Sequence, residues 1–394
     1  LGDTMRKTGD LNLVKEINKS IVLDYIRHQS PISRARIAEL AGLTKATVSS
    51  LVNELIGSRL VQEIGAGASS GGRKPMMLLF NGTAGYSIGV DLGVDYILVV
   101  LTDLSGRIVF ERRHAHANTS VERVIDALKA AIREAADQAP ASAYGIIGIG
   151  IGIPGISDGQ GRVLFAPNLG WENVPLGPAI EEAFGVPVVI DNEANAGAVG
   201  ELQFGTGQAA DNLVYLSIGS GIGTGIVLNK ELYRGSSGFS GEFGHTSIEL
   251  EGKPCRCGNR GCWELYASES ALLEEARKQL EDRGLDVGRL IRLAEQGDEA
   301  AIRLFERWGF YLGIGIVNIM NGINPGLIVI GGKLAEAEQW LKAPLLAAVE
   351  RRSMPYPRAG MGLKFSGLGA RSTVLGACSF AISKFFASTK VLVN

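Results

Sequence analysis

His245, Cys255, Cys257 and Cys262 are the densest concentration of metal-binding chemistry in this sequence. The chain has four cysteines and four histidines in all, and three of the cysteines fall within eight residues, with a histidine ten residues upstream. One imidazole and three thiolates make a Cys3His donor set, which suits a tetrahedral, closed Zn2+ site of structural type. The glycines in Gly258–Gly261, "GNRG", let the chain fold back between Cys257 and Cys262. The spacing is not that of a common zinc finger, so the residues alone leave a group of unrelated reduced thiols open. Two carboxylates flank the cluster: Glu242 lies three residues before His245, and Glu264 two after Cys262. A metal anchored here would aim both at one ligand. The fourth cysteine, Cys378 in "VLGACSFAI", reads as an inert core thiol.

At 394 residues the chain is long enough for two or three folded units. A hydrophobic content of 46% and a charged content of 20% are those of a globular protein. No apolar run reaches the roughly 20 residues of a membrane span. "LGDTMRKTGDLNLVKEINKS" lacks the apolar segment of a signal peptide, so the expected location is the cytoplasm. Thiols stay reduced there, which favours metal over disulfide. The net charge of −2 is uneven: residues 1–80 hold eleven Lys/Arg against seven Asp/Glu, leaving an acidic remainder. A basic head on an acidic body fits nucleic-acid binding by the head.

Residues 1–82 read as a winged helix-turn-helix. Val14, Ile17, Ile21 and Tyr25 recur at helical spacing. Ser33 is placed to cap a second helix, which offers Ile37, Leu40 and Ala41 to a core. "GLT" at 42–44 is a tight turn. A third helix follows, with Val48, Leu51, Val52 and Leu55 on one face. Its start and polar face carry Thr44, Lys45, Thr47, Ser49, Ser50 and Asn53, which can reach base edges and phosphates. Two β-prone stretches, 60–64 and 76–80, flank a Gly/Ser-rich loop that reads as a wing. Arg73 and Lys74 are its candidate DNA contacts. The competing readings are a three-helix bundle and an interdomain linker.

The remainder reads as α/β. "YSIGVDLGVDYILVVLTDLSGRIVFERR" gives a three-stranded meander, and the same opening recurs at "NLVYLSIGSGIGTGIVLNKELYRG". Two such openings, each followed by helices, suggest duplicated lobes over 83–200 and 201–394, with room for the C-terminal helix to return to the first. "GIGIPGISD", "DNEANAGAVGE", "SIGSGIGTGIV", "GFSGEFGH" and "CRCGNRGCWE", in that order, resemble the ROK family of repressors, open reading frames and sugar kinases. The resemblance spans the whole chain. It implies an actin-like, ribonuclease-H-like pair of lobes with a sugar in the cleft and a structural zinc. The head and "SSGGRKP" place the resemblance in the repressor branch, nearest the xylose-responsive repressors of Gram-positive bacteria. It implies that Asn168, Asn192, Glu193, Glu242, His245 and Glu264 line the sugar pocket. That suits a ligand whose hydroxyls both donate and accept. Asn192 also reads as a helix cap.

ROK kinases carry a "DxGGT" phosphate loop, where this chain has "DLGVD", with Val94 and Asp95 in place of Gly-Thr. A branched side chain blocks close backbone approach, and a carboxylate repels phosphate. The kinase base is the Asp of "NDAN", and here that slot is Glu193. The second glycine loop, Ser217–Gly225, is kept. The expectation is a sensor rather than an enzyme: a homodimer or dimer of dimers on operator DNA, answering to a monosaccharide, xylose first. Another sugar, a phosphotransferase protein and residual kinase activity are the alternatives.

Overall fold

The computed structural model describes residues 11–66, 76–116 and 120–389. The head comprises α1 (Leu11–Gln29), β1 (Ile32–Ser33), α2 (Arg34–Ala41), α3 (Lys45–Gly57), β2 (Val61–Ala66) and β3 (Met76–Phe80), with the strands in the antiparallel order β1-β3-β2. Ser33 Oγ accepts from the Arg36 N–H and Thr44 Oγ1 from the Thr47 N–H, capping α2 and α3. Gly42 closes α2 at φ 65°, a left-handed conformation that glycine takes without strain. Val48, Leu51, Val52 and Leu55 are buried on α3, as their spacing requires.

α1 departs from expectation. Val14, Ile17 and Ile21 are 47%, 50% and 39% exposed, and Val22, Leu23 and Ile26 are buried instead. The stripe facing α3 runs Lys15, Lys19, Val22, Ile26. Both lysines pair with Glu54 of α3, at 2.8 and 3.7 Å. That places the apolar stripe one residue earlier toward solvent.

Two five-stranded sheets make the body. The first holds β4 (Tyr86–Leu92), β5 (Tyr96–Asp103), β6 (Ile108–Ala115), β7 (Ile146–Ile153) and β11 (Val188–Asn192), in the order β11-β7-β4-β5-β6. α4 (Val121–Asp137) covers one face through Val124, Leu128 and Ile132. A small antiparallel sheet, β8 (Ile156–Ser157), β9 (Val163–Ala166) and β10 (Trp171–Val174), is inserted after β7, and α5 (Leu176–Phe184) precedes β11. α6 (Glu193–Phe204) then leads into the second sheet, which holds β12 (Leu213–Ile218), β13 (Ile222–Leu228), β14 (Glu231–Tyr233), β15 (Leu327–Gly331) and β16 (Gly362–Phe365) in the order β14-β13-β12-β15-β16. Each sheet is an antiparallel meander whose first strand takes two further parallel strands on its other side. The repeat gives the ribonuclease-H-like lobe twice.

Between β14 and β15 run α7 (Glu264–Ala267), α8 (Glu269–Gln279), α9 (Val287–Glu295) and α10 (Glu299–Ile323); α11 (Glu338–Arg352) and α12 (Pro355–Ala359) precede β16. The glycines of α10 let neighbours in: Gly313 meets α11 at Leu345 and Ala348, and Gly315 lies under the Trp263 ring. α13 (Arg371–Thr389) returns from the second sheet and packs on the first. A Cβ on Gly89 would collide with the Val374 carbonyl, and one on Gly150 with the Ala377 carbonyl. Cys378 lies in this seam, fully buried, and burial pushes its thiol up to about 12. Gly150→Ala is expected to destabilise by about 1–3 kcal/mol in urea unfolding, the usual range for overpacking. Gly57→Ala, whose added methyl meets nothing within 4 Å, should not.

Candidate functional site

The turn after β14 and the chain before α7 bring the four metal-donor residues together. Their ligand atoms all lie within 4.8 Å of one another. Cys255 Sγ is 3.7 Å from His245 Nδ1, and Cys257 Sγ is 3.7 Å from Cys262 Sγ. All three cysteines are free thiols. Gly258 and Gly261 take φ of 92° and 67°, a turn that side chains disfavour. The Cys255 N–H donates to Asn259 O at 2.8 Å and the Gly258 N–H to Cys255 O at 3.1 Å, closing a knuckle. Burial pushes the Cys255 thiol up to about 12 and raises Cys262 as well. A divalent cation reverses that preference by binding the thiolates. The donor set therefore fits a closed tetrahedral metal site.

The metal-donor cluster backs onto the carboxylates. Glu264 Oε1 is 3.4 Å from His245 Nδ1 and 3.3 Å from Cys255 Sγ. His245 Nε2, the other ring nitrogen, looks toward Glu242 Oε2 at 4.0 Å. Nδ1 thus faces the sulfurs and Nε2 faces the cleft. A cavity of about 440 Å³ is lined by Val94, Asn168, Ser220, Cys255, Glu264 and Ser268, among others. A smaller recess of about 50 Å³ includes Ser157, Asp191, Asn192, Asn195, Thr224 and Glu242. Four of the expected sugar residues therefore divide between two recesses, with His245 beside both carboxylates.

Asn192 caps α6. Its Oδ1 accepts from the Ala194 N–H at 2.8 Å, and its Nδ2 donates to Gly155 O at 3.0 Å. Glu193 lines neither recess. Its Oε1 accepts from Ser217 Oγ at 3.4 Å. Burial, reinforced by the charge of Asp91, pushes Glu193 up to about 7.

The sequence reading missed Asp191 and Arg234. Arg234 grips Asp191 Oδ2 through Nη2 at 2.6 Å and Nε at 3.2 Å, joining the second lobe to the first beside the smaller recess. Asn195 Nδ2 donates to Asp191 Oδ1 at 2.8 Å. A pair 43 residues apart leaves no local signature.

In the turn after β4, Gly93 is packed against the next strand, while Val94 lines the larger cavity and Asp95 is exposed. Tyr96 lies against Gly93 and donates its hydroxyl to Asp91 Oδ2 at 2.8 Å. The Arg113 guanidinium sits 3.6 Å from the centre of the Tyr96 ring. Asp91 Oδ1 is buried without a hydrogen-bond partner, and burial pushes this carboxyl up to about 6.

On the head, Thr44 Oγ1 is committed to the α3 cap and to Thr47 Oγ1, 2.8 Å away. Lys45, Ser50 and Asn53 are exposed, and Thr47 and Ser49 half-buried. Asn53 Oδ1 accepts from Arg34 Nη2 at 3.0 Å, and Arg34 pairs with Glu63 of β2. Arg34, which the sequence reading did not single out, thus stands beside Asn53 of α3. Arg73 and Lys74 lie outside the described residues.

The ROK family model matches residues 87–384. The chain belongs to the ROK family. Among curated ROK relatives, the xylose repressor of Bacillus subtilis (strain 168) is 45% identical over 377 residues, covering 95% of this chain and 97% of its own. The xylose repressor of Bacillus spizizenii is 44% identical, with 97% and 99% covered. Among solved ROK structures, a transcriptional regulator homologous to Escherichia coli Mlc superposes with a TM-score of 0.81 at 30% identity, covering 96% of this chain and 99% of that one. A ROK glucokinase from Streptomyces griseus, solved with glucose and AMPPNP, gives 0.69 at 30% identity and covers 76% of this chain and 100% of its own.

The buried carboxyls give a pH signature. Asp91 and Glu193 bind protons more tightly folded than unfolded, so their contribution to stability is fully present below their unfolded values. It is lost as pH rises from about 4 to about 7. Glu193→Gln should therefore gain stability over the parent as pH rises through that window. Parallel stability curves in urea would contradict the assignment.

Proposed function

We propose that this ROK protein is a sugar-responsive transcriptional repressor. Its head holds operator DNA, and a monosaccharide in the cleft releases it. Near full-length identity of 44–45% to proteins named xylose repressor supports D-xylose as the effector. The observation that carries the reading is the pairing of two features. A recognition helix stands on the head, and the turn of a kinase-like body reads "DLGVD", with Tyr96 packed on its glycine and Asp95 in place of the threonine.

In this reading the cleft binds and does not phosphorylate. Glu193, one methylene longer than the kinase aspartate, is buried and hydrogen-bonded to Ser217, and an ångström-scale displacement of a base costs about 100-fold in rate. Asn168, Glu242, Glu264 and His245 Nε2 bind the hydroxyls. Asn192 and Glu193 shape the floor from below. Lys45, Ser49, Ser50, Asn53 and Arg34 meet the DNA with Thr44 and Thr47 setting the helix start, and Arg73 and Lys74 extend the contact from the wing. Two heads of a homodimer, or of each pair in a dimer of dimers, take two half-sites. The setting is the cytoplasm.

Glu242→Ala tests the pocket. It should keep operator affinity and lose release by D-xylose, with the sugar heat in calorimetry reduced at least about 10-fold in affinity. In the parent, D-xylose should raise the unfolding temperature and ATP should not. Release of the Glu242→Ala protein at ordinary sugar concentrations, or transfer of phosphate from ATP to xylose, would refute the reading.

Zn2+ is the metal this reading assigns to His245, Cys255, Cys257 and Cys262, and its part is to hold Glu264 and His245 in place. Elemental analysis should find one zinc per chain. Stripping it should lower both the unfolding temperature and sugar affinity of the full-length protein while its footprint on operator DNA is kept. Full sugar affinity in zinc-free protein would remove this role.

A further inference from the structure

α13 spans the distance from the cleft to the DNA head. Thr373 Oγ1, near its start, donates to the backbone carbonyl of Glu193 at 3.1 Å. Lys384 Nζ, near its end, donates to Val188 O at 3.1 Å. Val188 opens β11 and Glu193 follows its last residue, so the helix is strapped to both ends of the strand that delivers Asp191 and Asn192 to the cleft.

Along this seam buried side chains such as Val374 and Cys378 fill the core, and glycines bring backbone against backbone at several points. Gly89 and Gly150 meet the Val374 and Ala377 carbonyls directly, Gly200 meets that of Ser372, and Gly376 meets that of Ala196. Backbone packed on backbone at interior density transmits displacement instead of cushioning it.

The far end of α13 is part of the head. Ala381, Ile382 and Phe386 share one buried cluster with Val22, Val48 and Leu78. The Arg27 guanidinium of α1 stands 4.4 Å from the Phe386 ring centre. Tyr144 packs edge-on against Phe385 at 5.1 Å and donates its hydroxyl to Ser58 O, just past α3, at 2.9 Å. Thr373 and Phe386 are about 20 Å apart along the helix.

The second lobe brings Glu242, His245 and Glu264 to the same cleft and touches the first through Arg234 on Asp191. The two lobes also meet along α6, where Gly225 lies against the Ala194 carbonyl, and at the buried Glu201 carboxylate. Glu201 accepts from Ser372 Oγ at 2.6 Å and from the Thr206 N–H at 2.9 Å, tying together the two places where the chain crosses between lobes.

We propose that the head, the first sheet and α13 move as one rigid body, so that sugar acts by reorienting one head relative to its twin, not by changing how a single head grips its half-site. The proposal rests on the sugar-responsive reading above. A bound sugar draws the second lobe onto the first, and the head swings with the first because no joint lies between them. Phe386 is then a positioning residue for regulation: it keeps head and first lobe in fixed attitude. Such a rigid-body device acts only where two heads must match the spacing of two half-sites.

The test uses the full-length protein and two duplexes, one with both half-sites of an operator selected in vitro and one with a single half-site. Saturating D-xylose should weaken binding to the two-site duplex by at least about 5-fold and leave the single-site duplex within about twofold. Phe386→Ala should keep the calorimetric sugar affinity and the single-site affinity, yet shrink the two-site effect to within about twofold. Equal weakening on both duplexes would overturn the proposal, as would a Phe386→Ala protein with the parent's response. The duplex comparison needs no variant, so it decides even if Phe386→Ala folds poorly. Calorimetry separates the two readings. Absence of heat with D-xylose counts against the effector assignment, and the duplex pair is then run with whichever pentose or hexose gives heat. Normal heat with equal loss from both duplexes counts against the rigid body.

Discussion

The contact on which this molecule depends is the bare seating of α13 against the backbones of β4, β7 and α6. Glycines on both sides bring carbonyl groups to where a methyl would otherwise stand. This close approach explains the glycine-rich character of β7, "IIGIGIGI", and of "VGE" at the end of α6. The same helix finishes the first lobe's core and the head's core. Three units that could have been joined by linkers therefore share one spine. The buried Glu201, with Ser366 and Ser372 as donors, fixes the point at which that spine leaves the second lobe.

The cleft shows a related economy. Its two lobes contribute unlike chemistry: capped helix and buried carboxyls from the first, a stiff cysteine-histidine knuckle with two carboxylates from the second. Beside the turn after β4, Tyr96, Asp91 and Arg113 pack together, a hydroxyl on a carboxyl and a cation on the aromatic face. The arrangement leaves Glu193 desolvated and inclined to hold its proton.

Much of this was legible in the chain. The caps Ser33 and Thr44, the apolar face of α3, the duplicated meander and the metal-donor cluster all follow from local spacing, which is where physical signal in a single sequence is strongest. The apolar stripe of α1 misled because Lys15 and Lys19 compete for the same inward position through Glu54, a residue of another helix. Asn192 was readable both as ligand and as cap, and its hydrogen bonds are those of a cap. Asp191 with Arg234, and Arg34 with Asn53, were invisible because each pair is made by tertiary folding. The hydrogen bond from Ser217 to Glu193 was equally hidden, since it depends on which way a side chain turns at the first residue of a helix.

The return of α13 to the first lobe has a bearing on how the molecule is made. The second lobe is, in effect, an insertion between the sheet of the first and the helix that closes it. During synthesis the glycine seams of β4 and β7 stay open until α13 has been made. The reading head waits with them, because Ile382 and Phe386 complete its interior. A chain interrupted before α13 would thus lack part of the interior of both the first lobe and the head.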